Sequence, residues 1–100
     1  MNLRVKVDRV ALTEFCRRWR VRELSVFGSV LRDDFGPDSD VDFLASFEPD
    51  VPWDLWDLVT MRDELSVLTG REVDLVTRES LRNPYRRQEI LATREVIHAA

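Results

Sequence analysis

Hydrophobic positions recur along this chain with two different periods. Leu12, Phe15, Cys16 and Trp19 fall at i, i+3, i+4 and i+7, which predicts an amphipathic helix over Asp8 to Trp19. Val21 to Phe27 is the first strand candidate and runs straight into Gly28-Ser29. Val30 to Phe35 suits a short helix, and Gly36-Pro37-Asp38-Ser39 is a turn cluster. Val41, Phe43 and Leu44 mark a second strand, with Asp40 and Asp42 at its beginning. After Pro49-Asp50-Val51-Pro52, a second helix is expected over about Trp53 to Thr69. Leu55, Leu58, Met61, Leu65 and Leu68 form its stripe, and Gly70 is placed to end it. Glu72 to Thr77 reads as a third strand. Asn83-Pro84 then opens a last helix, with Asn as N-cap and Pro at the first helical position. That helix is expected to run from about Tyr85 to His98, with Ile90, Leu91 and Ile97 on its apolar side.

Length and composition narrow the class. One hundred residues make a single domain, 1–100, with a core large enough to fold without staples. No apolar run reaches membrane-spanning length and the N-terminus lacks a signal-peptide core, so a cytoplasmic location and no membrane partner are the expectations. Cys16 is the only cysteine, which excludes an internal disulfide and a cysteine-based zinc cluster and leaves a small core residue. A net charge of −4 argues against direct nucleic-acid binding. Acidic residues concentrate at Asp33-Asp34, Asp38 to Asp42 and Glu48 to Asp57, a solvated face that would also suit a basic protein partner. Trp53 and Trp56 are expected to pack in the core or at its edge, and His98 to lie on the surface.

Charge placement adds chemistry to this pattern. Asp40 and Asp42 are spaced i, i+2, so on a strand both side chains point to one face, opposite Val41 and Phe43. Side-by-side carboxylates repel and ionise fully only around a cation. Mg²⁺ prefers one or two carboxylates plus substrate phosphates. Gly28 has no Cβ and permits close backbone approach, while Ser29 offers an N–H and a hydroxyl to a phosphate. Asp74 stands between Val73 and Leu75, an unlikely place for a carboxylate unless a cation or donor is near. These parts describe a site for a metal-bound nucleoside triphosphate.

Gly28-Ser29, ten intervening residues, then Asp40-x-Asp42 resembles the signature of the polymerase-beta-like nucleotidyltransferase superfamily. The small size points to its minimal nucleotidyltransferase (MNT) branch, antitoxins paired with HEPN-domain ribonuclease toxins. Arg32, Ser39, Asp74 in Glu72-Val73-Asp74-Leu75-Val76, and the tail Asn83-Pro84-Tyr85-Arg86-Arg87 fit the same pattern. The resemblance runs from about Val21 to the C-terminus. The chain departs from the family at Leu31 and Asp33, where a small residue and a glycine are often found, and at His98, where a tyrosine is common.

The resemblance implies an α/β (α+β) fold with a small mixed sheet packed with helices, in which the second and third strands are neighbours. It implies two Mg²⁺ ions held by Asp40, Asp42 and Asp74, the last also acting as general base. Gly28, Ser29, Arg32 and Ser39 would bind ATP. The implied activity is transfer of AMP from ATP to a tyrosine of a cognate HEPN ribonuclease, which silences that toxin. Two other readings stand beside it: an antitoxin that occludes the toxin sterically without catalysis, and nucleotidyl transfer to a small molecule or RNA.

Overall fold

A computed structural model describes residues 6–32 and 35–100. Asp33 and Asp34, including the family departure at Asp33, lie outside the described residues. The first helix, α1 (Arg9–Arg18), begins where Asp8 accepts hydrogen bonds from the Val10 and Ala11 N–H groups, at 2.9 and 3.4 Å. Leu12, Phe15 and Cys16 are its buried face. Burial pushes the Cys16 thiol up to about 12, so it stays protonated at neutral pH and acts as a small apolar side chain.

Strands β1 (Val21–Phe27) and β2 (Val41–Phe47) pair antiparallel, and β2 pairs parallel with β3 (Val73–Thr77). Between β2 and β3 lies α2 (Leu55–Thr69), opened by a reciprocal capping box between Asp54 and Asp57 and closed by left-handed Gly70. The last helix is α3 (Pro84–Thr93), with Asn83 accepting from the Tyr85 and Arg86 N–H groups. It is shorter than the sequence suggests. Residues Glu95–Ala99 form a fourth strand, β4, antiparallel to β1, giving the order β3-β2-β1-β4. Ile97 therefore belongs to a strand and not to a helix stripe, and His98 is half-buried opposite Leu24. The sheet partner overrides helix continuation here, because β1 has a free edge whose backbone groups need pairing.

The sheet has two differently covered faces. Leu24 and Val26 of β1, Val41, Phe43 and Ala45 of β2 and Val73 of β3 pack with Leu12, Phe15, Met61 and Leu65 from α1 and α2. On the opposite face Phe27 and Leu44 pack with Leu81 and Ile90, so α3 covers the side to which Asp42 also points. Trp53 conforms to expectation: its indole N–H donates to the Trp19 carbonyl at 2.9 Å, with the two rings edge to face at 5.2 Å. Trp56 does not. It is 76% exposed beside Leu55 at 71%, because the first turn of α2 carries them past the edge of the core that Met61 and Leu65 enter.

Candidate active site

The site forms where β1 ends and β2 begins. Phe27 pairs with Asp42 across the antiparallel ladder, and Asp42 pairs with Asp74 across the parallel one. Parallel in-register pairing puts the two aspartates on the same face of adjoining strands. Asp40 immediately precedes β2 and shares the i, i+2 relation with Asp42. Asp40 and Asp74 are exposed, whereas Asp42 is half-buried.

The chain after β1 differs in one respect from the expected helix over Val30 to Phe35. It makes a single 3₁₀ turn, Gly28–Leu31, and is already extended at Arg32. Gly28 has φ +74°, a left-handed conformation, and its missing Cβ would stand 2.5 Å from Asp42 Oδ2. Val30 is buried in the main core, which draws the chain inward too early for a longer helix. The Ser29 hydroxyl donates to the Asp40 carbonyl at 3.1 Å. It thereby fixes the backbone that presents the first carboxylate.

Ser39 is used inside its own turn, where its hydroxyl accepts from the Gly36 N–H at 3.0 Å. The structure thus brings Gly28, Ser29, Asp40, Asp42 and Asp74 to one end of the sheet, and places the Ser39 hydroxyl in the turn that leads to them. Burial first, then the charges of Asp74 and Asp40, raises the Asp42 carboxyl above its ordinary range; Arg86 and Arg32 oppose the rise.

Arg86 is the residue that sequence reasoning left out of the site. It lies one helical turn before Ile90, whose side chain is buried against the sheet, so both occupy the same helix face. That i, i+4 relation to a core residue was visible in the sequence. Nothing in the sequence showed that this face of α3 crosses the Asp42 side of the sheet.

The donor set suits a hard divalent cation. Three carboxylates, two of them raising the third, are a site whose repulsion a cation relieves. Among the described residues no three His, Cys, Asp or Glu side chains are grouped closely enough to hold a metal ion by themselves; Mg²⁺ characteristically takes only one or two carboxylates and shares its coordination with water and substrate phosphate. A cavity of about 470 Å³ lies behind the turn, lined by Ser39, Ser66 and Arg71 among others, and includes none of the three aspartates. Asp40 and Asp74 are exposed outside that cavity, and Asp42 between them is half-buried.

Residues 9–97 match the model of the nucleotidyltransferase domain family. The chain is 41% identical over 70 residues to the protein adenylyltransferase MntA of Thermococcus cleftensis, covering 70% of this chain and 69% of that protein. A solved structure described as a minimal nucleotidyltransferase superposes with a TM-score of 0.71 at 33% identity, over 87% of this chain and 86% of the other. A toxin–antitoxin structure with AMP-PNP gives a TM-score of 0.74 at 16% identity, over 94% of this chain and 75% of that one; this likeness is one of fold. With the Gly-Ser turn against Asp42 and the aspartates in register on adjoining strands, the chain belongs to the nucleotidyltransferase domain family, in its minimal nucleotidyltransferase branch.

Proposed function

We propose that the protein is a Mg²⁺-dependent protein adenylyltransferase that acts as the antitoxin of a HEPN-domain ribonuclease. The observation that carries this reading is the in-register pair Asp42 and Asp74, with Asp40 adjacent and two arginines acting on the same carboxylate. The relatives named protein adenylyltransferase and the likeness to a toxin–antitoxin structure support it.

In this reading Asp40 and Asp42 would hold the cation that accompanies the triphosphate, and Asp42 and Asp74 would hold a second. Bound there, the ions would supply charge neutralisation for the attacking and leaving oxygens. The residues do the rest. The Gly28–Leu31 turn offers its backbone amides to the phosphates, and Arg32 and Arg86 add positive charge beside Asp42. Asp74, the more exposed partner of the pair, takes the proton of the acceptor hydroxyl. The acceptor oxygen bonds to the α-phosphorus as the bond to the β-phosphate bridging oxygen breaks, and pyrophosphate leaves. An open site fits a protein acceptor, whose own surface excludes water from the reacting groups.

The test is transfer of label from α-labelled ATP, with Mg²⁺, to a tyrosine of a cognate HEPN-domain protein. Labelled toxin with lost ribonuclease activity is the expected result. Absence of label with that partner present and folded refutes the catalytic reading.

Steric neutralisation is the second reading, favoured by the exposed Trp56 and Leu55 next to Asp54 and Asp57. A protein carrying both Asp40→Asn and Asp42→Asn that still neutralises the toxin at equal stoichiometry would establish it.

A further inference from the structure

The turn that delivers Asp40 is held from outside the site. Arg71 follows the Gly70 end of α2 and precedes Asp74 by three positions. Its Nη1 donates to the Gly36 carbonyl at 2.6 Å and to the Ser39 carbonyl at 3.4 Å. The same guanidinium lies 4.5 Å from the centroid of the Phe35 ring. Within the turn, the Ser39 N–H donates to the Gly36 carbonyl at 3.1 Å, and the Gly36 N–H donates to the Ser39 hydroxyl at 3.0 Å. One planar cation therefore ties both ends of the turn, and the next residue is Asp40. Beyond Asp40, the Val41 N–H donates at 3.0 Å to the carbonyl of Glu72, the neighbour of Arg71.

We propose that Arg71 is a positioning residue for the three carboxylates: by binding the Gly36-to-Ser39 turn to the head of β3, it sets the spacing between Asp40 and the Asp42–Asp74 pair. This rests on the proposed reading that those carboxylates hold a divalent cation. Asp42 and Asp74 are placed by strand register, but Asp40 lies just outside the ladder, held by the Ser29 hydroxyl at its carbonyl and by the turn that precedes it. A small cation with near-ideal octahedral demands tolerates little drift in oxygen position. Arginine suits the task because one rigid, permanently charged plane can serve carbonyls and stack on an aromatic ring together. Arg71 touches neither the phosphates nor the reacting atoms.

Positioning by Arg71 and its simple charge have opposite effects on cation binding. Removing a positive group near a cation site strengthens cation binding by Coulomb's law, whereas losing the position of Asp40 weakens it. Mn²⁺ alone, without nucleotide, is the probe. Its affinity would be measured calorimetrically for the wild type, Arg71→Met, Arg71→Lys and Ser39→Ala, with thermal midpoints taken in parallel. Arg71→Met is expected to bind Mn²⁺ about tenfold more weakly, the lower end of what supporting groups contribute around metal sites. Arg71→Lys should recover part of the loss. Ser39→Ala leaves Arg71 in place but frees the Gly36 N–H, and should also weaken binding, by less.

Equal or tighter binding by folded Arg71→Met overturns the proposal. If that variant does not fold, unchanged binding by Ser39→Ala overturns it. A wild type that binds no Mn²⁺ overturns the carboxylate reading and Arg71's role with it. Binding by the wild type that all variants match removes the role of Arg71 alone.

Discussion

The Asp42 carboxylate lies so close to the backbone of Gly28 that a Cβ on residue 28 would stand 2.5 Å from Oδ2. The glycine is therefore required by a protein carboxylate. Gly28→Ala would put a side chain in the left-handed region, at a cost of roughly 1–2 kcal/mol, and would push Asp42 off the ladder end. A lowered thermal midpoint together with loss of transfer is expected. Gly36→Ala is the control: its chain neighbours aside, no atom of the described residues lies within 4 Å of the Cβ it would gain, and its midpoint should move little. Equal behaviour of the two variants in thermal denaturation and transfer assays would refute this account.

Asp42→Asn should abolish transfer and leave the metal-free protein as stable as the wild type or more so. In the fold the Asp42 carboxyl is raised by burial and by Asp74 and Asp40. The native state thus binds its proton more tightly than the unfolded chain, and stability attached to this group falls as pH rises from 3.8, its ordinary value, through the raised value. The asparagine variant should gain on the wild type at neutral pH. That gain should vanish at pH values below the ordinary carboxylate range. Chemical denaturation at several pH values would check it, and a large loss of stability at neutral pH would assign Asp42 a structural role.

Asp74→Ala should separate binding from chemistry. The triphosphate's cation is assigned mainly to Asp40 and Asp42, so affinity for Mg²⁺·ATP should stay near that of the wild type. Loss of general-base assistance should lower the transfer rate by roughly 10²–10⁴-fold. Nucleotide titration alongside single-turnover transfer would decide it. If binding and transfer disappear together, Asp74 belongs to the triphosphate site.

Arg86→Gln should weaken ATP binding while leaving the fold intact, since Arg86 is exposed and Ile90, one turn later, keeps α3 on the sheet. It should also raise the Asp42 carboxyl further, because Arg86 is one of two charges that lower it. The transfer-rate profile would then shift its acid limb to higher pH. An unchanged affinity for ATP would place Arg86 outside the nucleotide site.

Ser25 offers a test of packing. It is fully buried, and among the described residues its hydroxyl has no hydrogen-bond partner. Burying an unpaired hydroxyl costs roughly 1–3 kcal/mol in proteins, so Ser25→Ala should be neutral or stabilising in thermal denaturation. A clear loss of stability would mean that the hydroxyl is satisfied in solution.

The local elements were legible wherever periodicity and punctuation agreed. Asp8, Asn83-Pro84 and Gly70 bound their helices because capping is a matter of neighbouring backbone groups. The strand over Asp42 was legible too, but Asp40 falls just before it, so the two-residue strand repeat does not by itself place its carboxylate. Glu95–Ala99 was not legible as a strand, because its conformation is decided by the ladder with β1. The same holds for the 3₁₀ turn after β1, which is short because Val30 must reach the core.

The site divides in the same way. Type and spacing singled out the candidate carboxylates, glycine and serine. The Asp42–Asp74 register, the Oδ2 contact at Gly28 and the hold of Arg71 on Gly36 and Ser39 are meetings of residues distant along the chain. Local spacing determines which face a side chain takes, and only the folded sheet determines what stands opposite it.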